Sequence, residues 1–224
     1  MTVGLLLARS MWFSDLPEAV CQEVLARTEE RSVAAGAALG LHGDTALHWC
    51  GVIEGVLKWS ATAPSGRSVT MGGLTVGSWF GEGSLLHGRP VQADIVALRH
   101  SRVALMPKEV FDWLYRHEPS FNNFLLHQLN ERLHWFMGDF AAHRLYGAET
   151  RVARALLGLQ HPFLHPGADA HIDISQEEVA NLAGLSRQRC NQALRRMREL
   201  GLVQVEYGGI TLLDAAALAQ LAAE

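Results

Sequence analysis

Residues 186–198, SRQRCNQALRRMR, carry five arginines and no acidic side chain. The chain as a whole has 19 Lys+Arg against 23 Asp+Glu, a net charge of −4, so this positive cluster is local. Guanidiniums interleaved with Asn and Gln suit DNA. Arg pairs bidentately with guanine edges, Asn or Gln with adenine, and the other arginines reach phosphates. Such contacts are screened beyond a Debye length of ~8 Å at physiological salt, so the remaining surface is free to be acidic. An arginine run alone is equally a solvated helix face, and its surroundings must decide.

Those surroundings read as two helices joined at a glycine. Ser175 and Glu178 form an S-x-x-E capping box that starts the first helix, Gly184 ends it, and Ser186 caps the second. At ~100° per residue, Cys190, Ala193, Leu194 and Met197 share one arc of the second helix. Arg187, Gln188, Asn191, Gln192 and Arg195 share the opposite arc, flanked by Arg189, Arg196 and Arg198. With Ala180 small and Cys190 inward, this is a helix-turn-helix. Arg187, Gln188, Asn191 and Gln192 are expected to read bases. Ser175, Gln176, Ser186, Arg189 and Arg195 are expected to position phosphates. LVQVEYGGITLLD reads as a wing, two strands about a Gly208-Gly209 turn, and Asp214 caps a last helix.

These elements need a frame. Residues 1–117 hold short apolar runs (VLKWSAT, RSVTMGGL, ADIVALR, RVALMP) punctuated by glycines, which predicts an antiparallel β-roll or jelly roll. SDLPEAVCQEVLART before them reads as a short helix opened by Ser14 or Asp15. Residues 118–146 begin with Pro119 and place Leu126, Leu129, Leu133, Phe136 and Phe140 at alternating spacings of three and four. That is an a/d seam for pairing two chains, or a helix packed on its own core. Trp135 and Phe124 lie off this seam, toward the roll. Residues 147–224 open with the helix ETRVARALLGL, then a proline-broken loop, HPFLHPGADAHI, before the helix-turn-helix. The expected class is α+β: an N-terminal roll, a long dimerisation helix and a C-terminal winged helix-turn-helix.

This order, with GSWFGEGSLL at 77–86 and ISQEEVANLAGLSRQRCNQAL at 174–194, resembles the CRP/FNR superfamily of bacterial transcription regulators. The resemblance implies a non-enzymatic homodimer, a DNA operator with two-fold symmetry, and promoter-level control of RNA polymerase. Arg187 stands at the position used by the cyclic-AMP-binding branch. Gln188 and Gln192 stand where members commonly carry Glu and Arg, so the operator is expected to differ from the familiar ones. The resemblance also places an effector pocket at Gly81, Glu82, Gly83, Ser84, Val91, Gln92, Phe136 and Met137. In cyclic-AMP-binding members an Arg-Ser-Ala triplet follows the Glu, and the Arg pairs with the phosphate. Here the triplet is Val91-Gln92-Ala93, and Phe136 and Met137 replace a Thr-Ser pair that meets adenine. A buried phosphate without its cation is costly, so cyclic AMP is not the expected effector, although Arg89 lies two residues early. Either side chains fill the pocket, or a less charged, more apolar ligand does.

Other chemistries fit less of the chain. The cysteine cluster of the oxygen-sensing branch is reduced to Cys21, and no CxxC occurs among Cys21, Cys50 and Cys190. No cofactor is therefore expected, although haem ligation by His87, His127 or His134 stays open. His48, Cys50 and Glu54 approximate the H-x-H-x3-E motif of cupin-like metal oxygenases, with one ligand wrong. A pure interaction module with a vestigial DNA-binding region is a third reading. No apolar run is long enough to cross a bilayer, and MTVGLLLARSMWF lacks the basic start of a signal peptide. The expectation is a cytoplasmic protein without a membrane partner.

Overall fold

The computed structural model describes residues 1–223. Three N-terminal helices, α1 (Val3–Arg9), α2 (Met11–Ser14) and α3 (Glu18–Arg27), precede eight strands. The strands are β1 (Glu29–Val33), β2 (Ala38–Gly40), β3 (His48–Glu54), β4 (Leu57–Thr62), β5 (Ser68–Leu74), β6 (Trp79–Phe80), β7 (Asp94–Ala97) and β8 (Ser101–Pro107). A short helix, α4 (Glu82–His87), lies between β6 and β7. The strands form two antiparallel four-stranded sheets, ordered β1-β8-β3-β6 and β2-β7-β4-β5.

The central strands of the first sheet, β8 and β3, are buried on both faces. Val33, Val52, Phe80, Val103 and Leu105 meet Leu57, Leu74, Ile95 and Ala97 of the second sheet, making the roll interior. The other face, with Trp49, Ile53, Trp79 and Met106, lies under α1, α2 and α5 (Lys108–His117). Trp49 stacks on Trp79 with ring centroids 4.4 Å apart, Trp12 packs edge-on against Trp79, and Phe121 packs edge-on against Trp49. The apolar patch at Val3–Ala8 belongs to α1, which buries Leu6 and Leu7. Helix α3 starts later than Ser14 or Asp15, with Pro17 at its N-cap and no side-chain cap. Pro17 presets the turn there, and Ser14 bonds back to the Met11 carbonyl.

Helix α6 (Pro119–Leu145) opens with proline in its first turn, where a missing N–H costs nothing. Its first turns bury Phe121 and Leu125 against the roll. Helix α7 (Ala148–Gly158) follows, then β9 (His171–Ile172), α8 (Gln176–Leu182), α9 (Arg187–Glu199), β10 (Val203–Glu206), β11 (Gly209–Leu212) and α10 (Ala215–Leu221). The last two residues of the proline-broken loop form β9, which adds a third strand to the β10–β11 hairpin. The hairpin turn is Tyr207-Gly208, since Glu206 pairs with Gly209. Only Gly208 has positive φ, so Gly209 is free to join the ladder. Asp214 caps α10 through the Ala217 N–H at 2.9 Å.

The C-terminal unit is fastened to the roll by polar contacts. Thr75 Oγ1 donates to the Leu159 carbonyl at 2.9 Å, and Ser78 Oγ lies 2.5 Å from His165 Nδ1. Lys58 pairs with Glu178 at 3.2 Å, and Arg99 donates to the Gly208 carbonyl at 2.7 Å. Burial pushes His165 down to about 3, so this ring is neutral in the fold. Phe124 packs toward the roll as expected, near Trp49. Trp135 instead covers Gly158 of α7, where a side chain would collide with its ring.

Candidate nucleic-acid interface and ligand cavity

The helix-turn-helix is built by local bonds. Ser175 Oγ accepts from the Glu178 N–H at 3.2 Å, and Ser186 Oγ accepts from the Arg189 N–H at 3.4 Å. Only half of the capping box forms, because the Glu178 carboxylate turns outward to Lys58. The tertiary ion pair wins over the reciprocal cap. Gly184 sits at φ +59°, and Cys190, Ala180, Ala193, Leu194 and Met197 are all buried. Burial pushes the Cys190 thiol up to about 11, which leaves it unreactive.

A residue that sequence reasoning missed completes the turn. Arg151 of α7 donates through Nη2 to the carbonyls of Ala183, at 2.5 Å, and Gly184, at 2.7 Å. It thereby supplies donors to the free C-terminal end of α8. Burial, then the nearby Arg189 guanidinium, hold Arg151 below the usual arginine range. No sequence signal ties position 151 to position 184, because the link is a contact between separate helices.

On α9, Arg187, Gln188, Arg189, Gln192 and Arg195 are exposed. Asn191 is half-buried, with its Oδ1 enclosed and without a partner. It sits at the edge of the polar face, one residue from the buried Cys190, not at its crest. Ser175 and Gln176 are half-buried at the start of α8, and Ser186 is exposed at the start of α9. Tyr207 at the wing tip is fully exposed.

On α6, Leu126, Leu129, Leu133, Phe136 and Phe140 are between 38% and 66% exposed, a continuous apolar stripe on a single chain. The seam therefore does not pack on the chain's own core, with the exception of Phe136, which also reaches the roll cavity.

That cavity holds about 490 Å³ and lies between the two sheets and α6. Gly81, Glu82, Gly83, Ser84, Val91, Gln92 and Phe136 line it. Met137 does not; it is 61% exposed, since ~100° of helical rotation from Phe136 turns it away from the roll. Arg89 is not in the lining either. The cavity is nonetheless not free of cations, because Arg31 of β1 and Arg132 of α6 both line it. Arg132 bonds the Glu82 carboxylate and the Trp79 carbonyl, and its guanidinium lies 5.0 Å from the Trp59 ring centroid. Trp49 Nε1 donates to the other Glu82 oxygen at 3.3 Å. Arg132 precedes Phe136 by one helical turn, so the two lie on the same face of α6.

The histidine in the lining is His48; His87, His127 and His134 are elsewhere. Among the described residues no three His, Cys, Asp or Glu side chains gather as a metal site. Glu54 is instead paired with Arg102 at 3.1 Å, past a register shift after Val52. No helix among the described residues is long and apolar enough to cross a membrane.

Two family models match this chain: a cyclic nucleotide-binding domain over residues 30–118 and a Crp-like helix-turn-helix domain over residues 150–221. The chain is 30% identical over 171 residues to the cyclic AMP receptor protein of Thermus thermophilus, covering 76% of this chain and 77% of that one. It is 27% identical over 174 residues to the CRP-like cAMP-activated global transcriptional regulator of Mycobacterium tuberculosis, with 76% and 78% covered. The fold matches that of FixK2 from Bradyrhizobium japonicum with a TM-score of 0.73 at 16% identity, over 87% of this chain and 96% of that one. A nucleotide-binding-type roll followed by a wing-bearing helix-turn-helix, matched along most of its length, places the chain in the CRP/FNR superfamily of transcription regulators, which are not enzymes.

Proposed function

We propose that the chain acts as a homodimer that reads a two-fold-symmetric DNA operator and controls RNA polymerase at promoters without requiring cyclic AMP. The observation that carries this reading is the division of α9. Its apolar residues are buried, while Arg187, Gln188, Gln192 and Arg195 are presented to solvent on one face. A single reading helix covers half an operator. The unpartnered stripe on α6 supports joining two copies, whose reading helices then address half-sites ~34 Å apart. Asn191 contributes from the edge of the face, and Ser175, Gln176, Ser186 and Arg189 hold phosphates beside it.

Independence from cyclic AMP rests on Val91, which stands where a phosphate needs a cation, and on Phe136, which takes up apolar space in the cavity wall. The open volume supports a small ligand more than self-filling. Titration calorimetry with cyclic AMP and cyclic GMP, beside DNA binding with and without each, tests the proposal. The expected result is no heat of binding and unchanged DNA affinity. A micromolar dissociation constant coupled to tighter operator binding would overturn it, because a ligand shifts an equilibrium only through differential affinity for its two states.

A further inference from the structure

We infer that the roll cavity takes a monocarboxylate with an apolar body, and that Arg31 is the residue that holds its carboxylate. This rests on reading the cavity as the effector site.

Register places Arg31 in the wall. On β1, Arg31 pairs with Val103 and Glu29 pairs with Leu105, and both partners belong to the roll interior. Strand alternation therefore turns Arg31 and Val33 inward and Glu30 outward. Glu30 bonds Arg102 on the outside at 2.7 Å. Arg31 itself makes no ion pair with any carboxylate of the described residues within 4.0 Å, Glu29 on its own face included.

The other charged groups of the cavity have partners, Asp44 a backbone one only. Glu82 is held by Arg132 and Trp49. Asp44 accepts from the Leu41 N–H at 2.8 Å. His48 is held toward its neutral form, first by burial and then by Arg31 itself. Arg31, solvent-exposed on β1, is the cation of the lining without an ion pair among the described residues, and its guanidinium suits one anionic oxygen pair in bidentate geometry. Leu39, Leu47, Trp59, Phe80, Ile95 and Leu105 make most of the rest of the wall apolar, beside the neutral polar Thr45, Ser84 and Gln92, and the volume is that of a small-molecule site. One guanidinium without an ion pair beside a mostly apolar wall suits an amphipathic acid. Cyclic AMP fits poorly because its single charge is carried by a polar body.

Calorimetry with decanoate and the neutral decanol, on the full-length wild type and on Arg31→Leu and Arg31→Gln, tests the inference. Wild type is expected to bind decanoate at least about tenfold more tightly than decanol, as a charge-assisted pair allows. Both variants are expected to bind the two probes equally, with decanol affinity unchanged. Thermal unfolding establishes that each variant is folded, and the polar Gln variant stands in should Leu fail. Equal binding of the two probes by wild type, no binding of either at millimolar concentration, or a carboxylate preference that survives loss of Arg31 each overturns it. Operator binding by the same preparations separates the failures. Loss of specific DNA binding in wild type refutes the regulator reading, whereas intact DNA binding with no carboxylate preference refutes only the role of Arg31.

Discussion

Arg187 and Arg196 lie on the same helix and carry the same charge, but they are nine residues apart and so half a rotation out of phase. Arg187 opens the polar face, whereas Arg196 lies 3.6 Å from Glu199 at the flank. Arg187→Ala should therefore cost ~1–3 kcal/mol on the specific operator and relax preference at one base pair per half-site. Arg196→Ala should weaken every sequence alike and flatten the salt slope. Competition binding against a panel of single-base operator variants distinguishes the two, and identical sequence-dependence would mean that the roles are wrongly assigned. Gly184 gives a second test at this scale. Its φ is +59°, and a Cβ there would lie 2.7 Å from both Arg151 Nη2 and His143 Nε2. Gly184→Ala should cost ~1–3 kcal/mol of stability and loosen the Arg151 bonds that fix the turn. Chemical denaturation reads the first effect and operator affinity the second.

At the scale of elements, α6 divides its length between two tasks. Its start is anchored in the roll by Phe121 and Leu125, while the later stripe faces solvent. Changing Leu126 and Leu133 together to Glu should produce a folded monomer by sedimentation and abolish operator binding, since one reading unit would lose its partner half-site. Phe136 is a poorer choice because it also lines the cavity. A dimer that persists would move the interface elsewhere. The strands show how far patterning carries. β4 and β5 are legible because their faces differ. β3, HWCGVIE, has no alternation to find, since both of its faces are covered, and β1, EERSV, is an edge strand with four exposed residues. Periodicity reports a difference between faces, and neither strand offers a simple one.

At the scale of the whole molecule, the buried Ser78–His165 contact joins roll and reading unit. His165 ordinarily titrates near 6.5 and is depressed to about 3 in the fold, so between those values the unfolded chain binds the extra proton. Stability from this group is then constant above pH 6.5 and is lost as pH falls from 6.5 toward 3. Denaturation midpoints at pH 7 and pH 5 should show this decline in the wild type and a shallower one in His165→Asn. An equal decline in both would place the sensitivity at His48 or His161, which burial also depresses.

The sequence by itself determined the features that depend on near neighbours along the chain: the caps at Ser175, Ser186 and Asp214, the turn at Gly184, the inward arc of α9 and the apolar stripe of α6. Each rests on helical spacing or on a backbone angle, both local quantities. Tertiary structure alone decided the distant partners. Glu178 left its capping box for Lys58, Arg151 crossed from α7 to close the turn, and Met137 fell outside the cavity that Phe136 lines. It also put Arg31, a residue with no motif around it, into the cavity wall, because a strand's inward face is set by its register against β8. Register is a property of pairing between segments about 70 residues apart, and no spacing within either segment contains it.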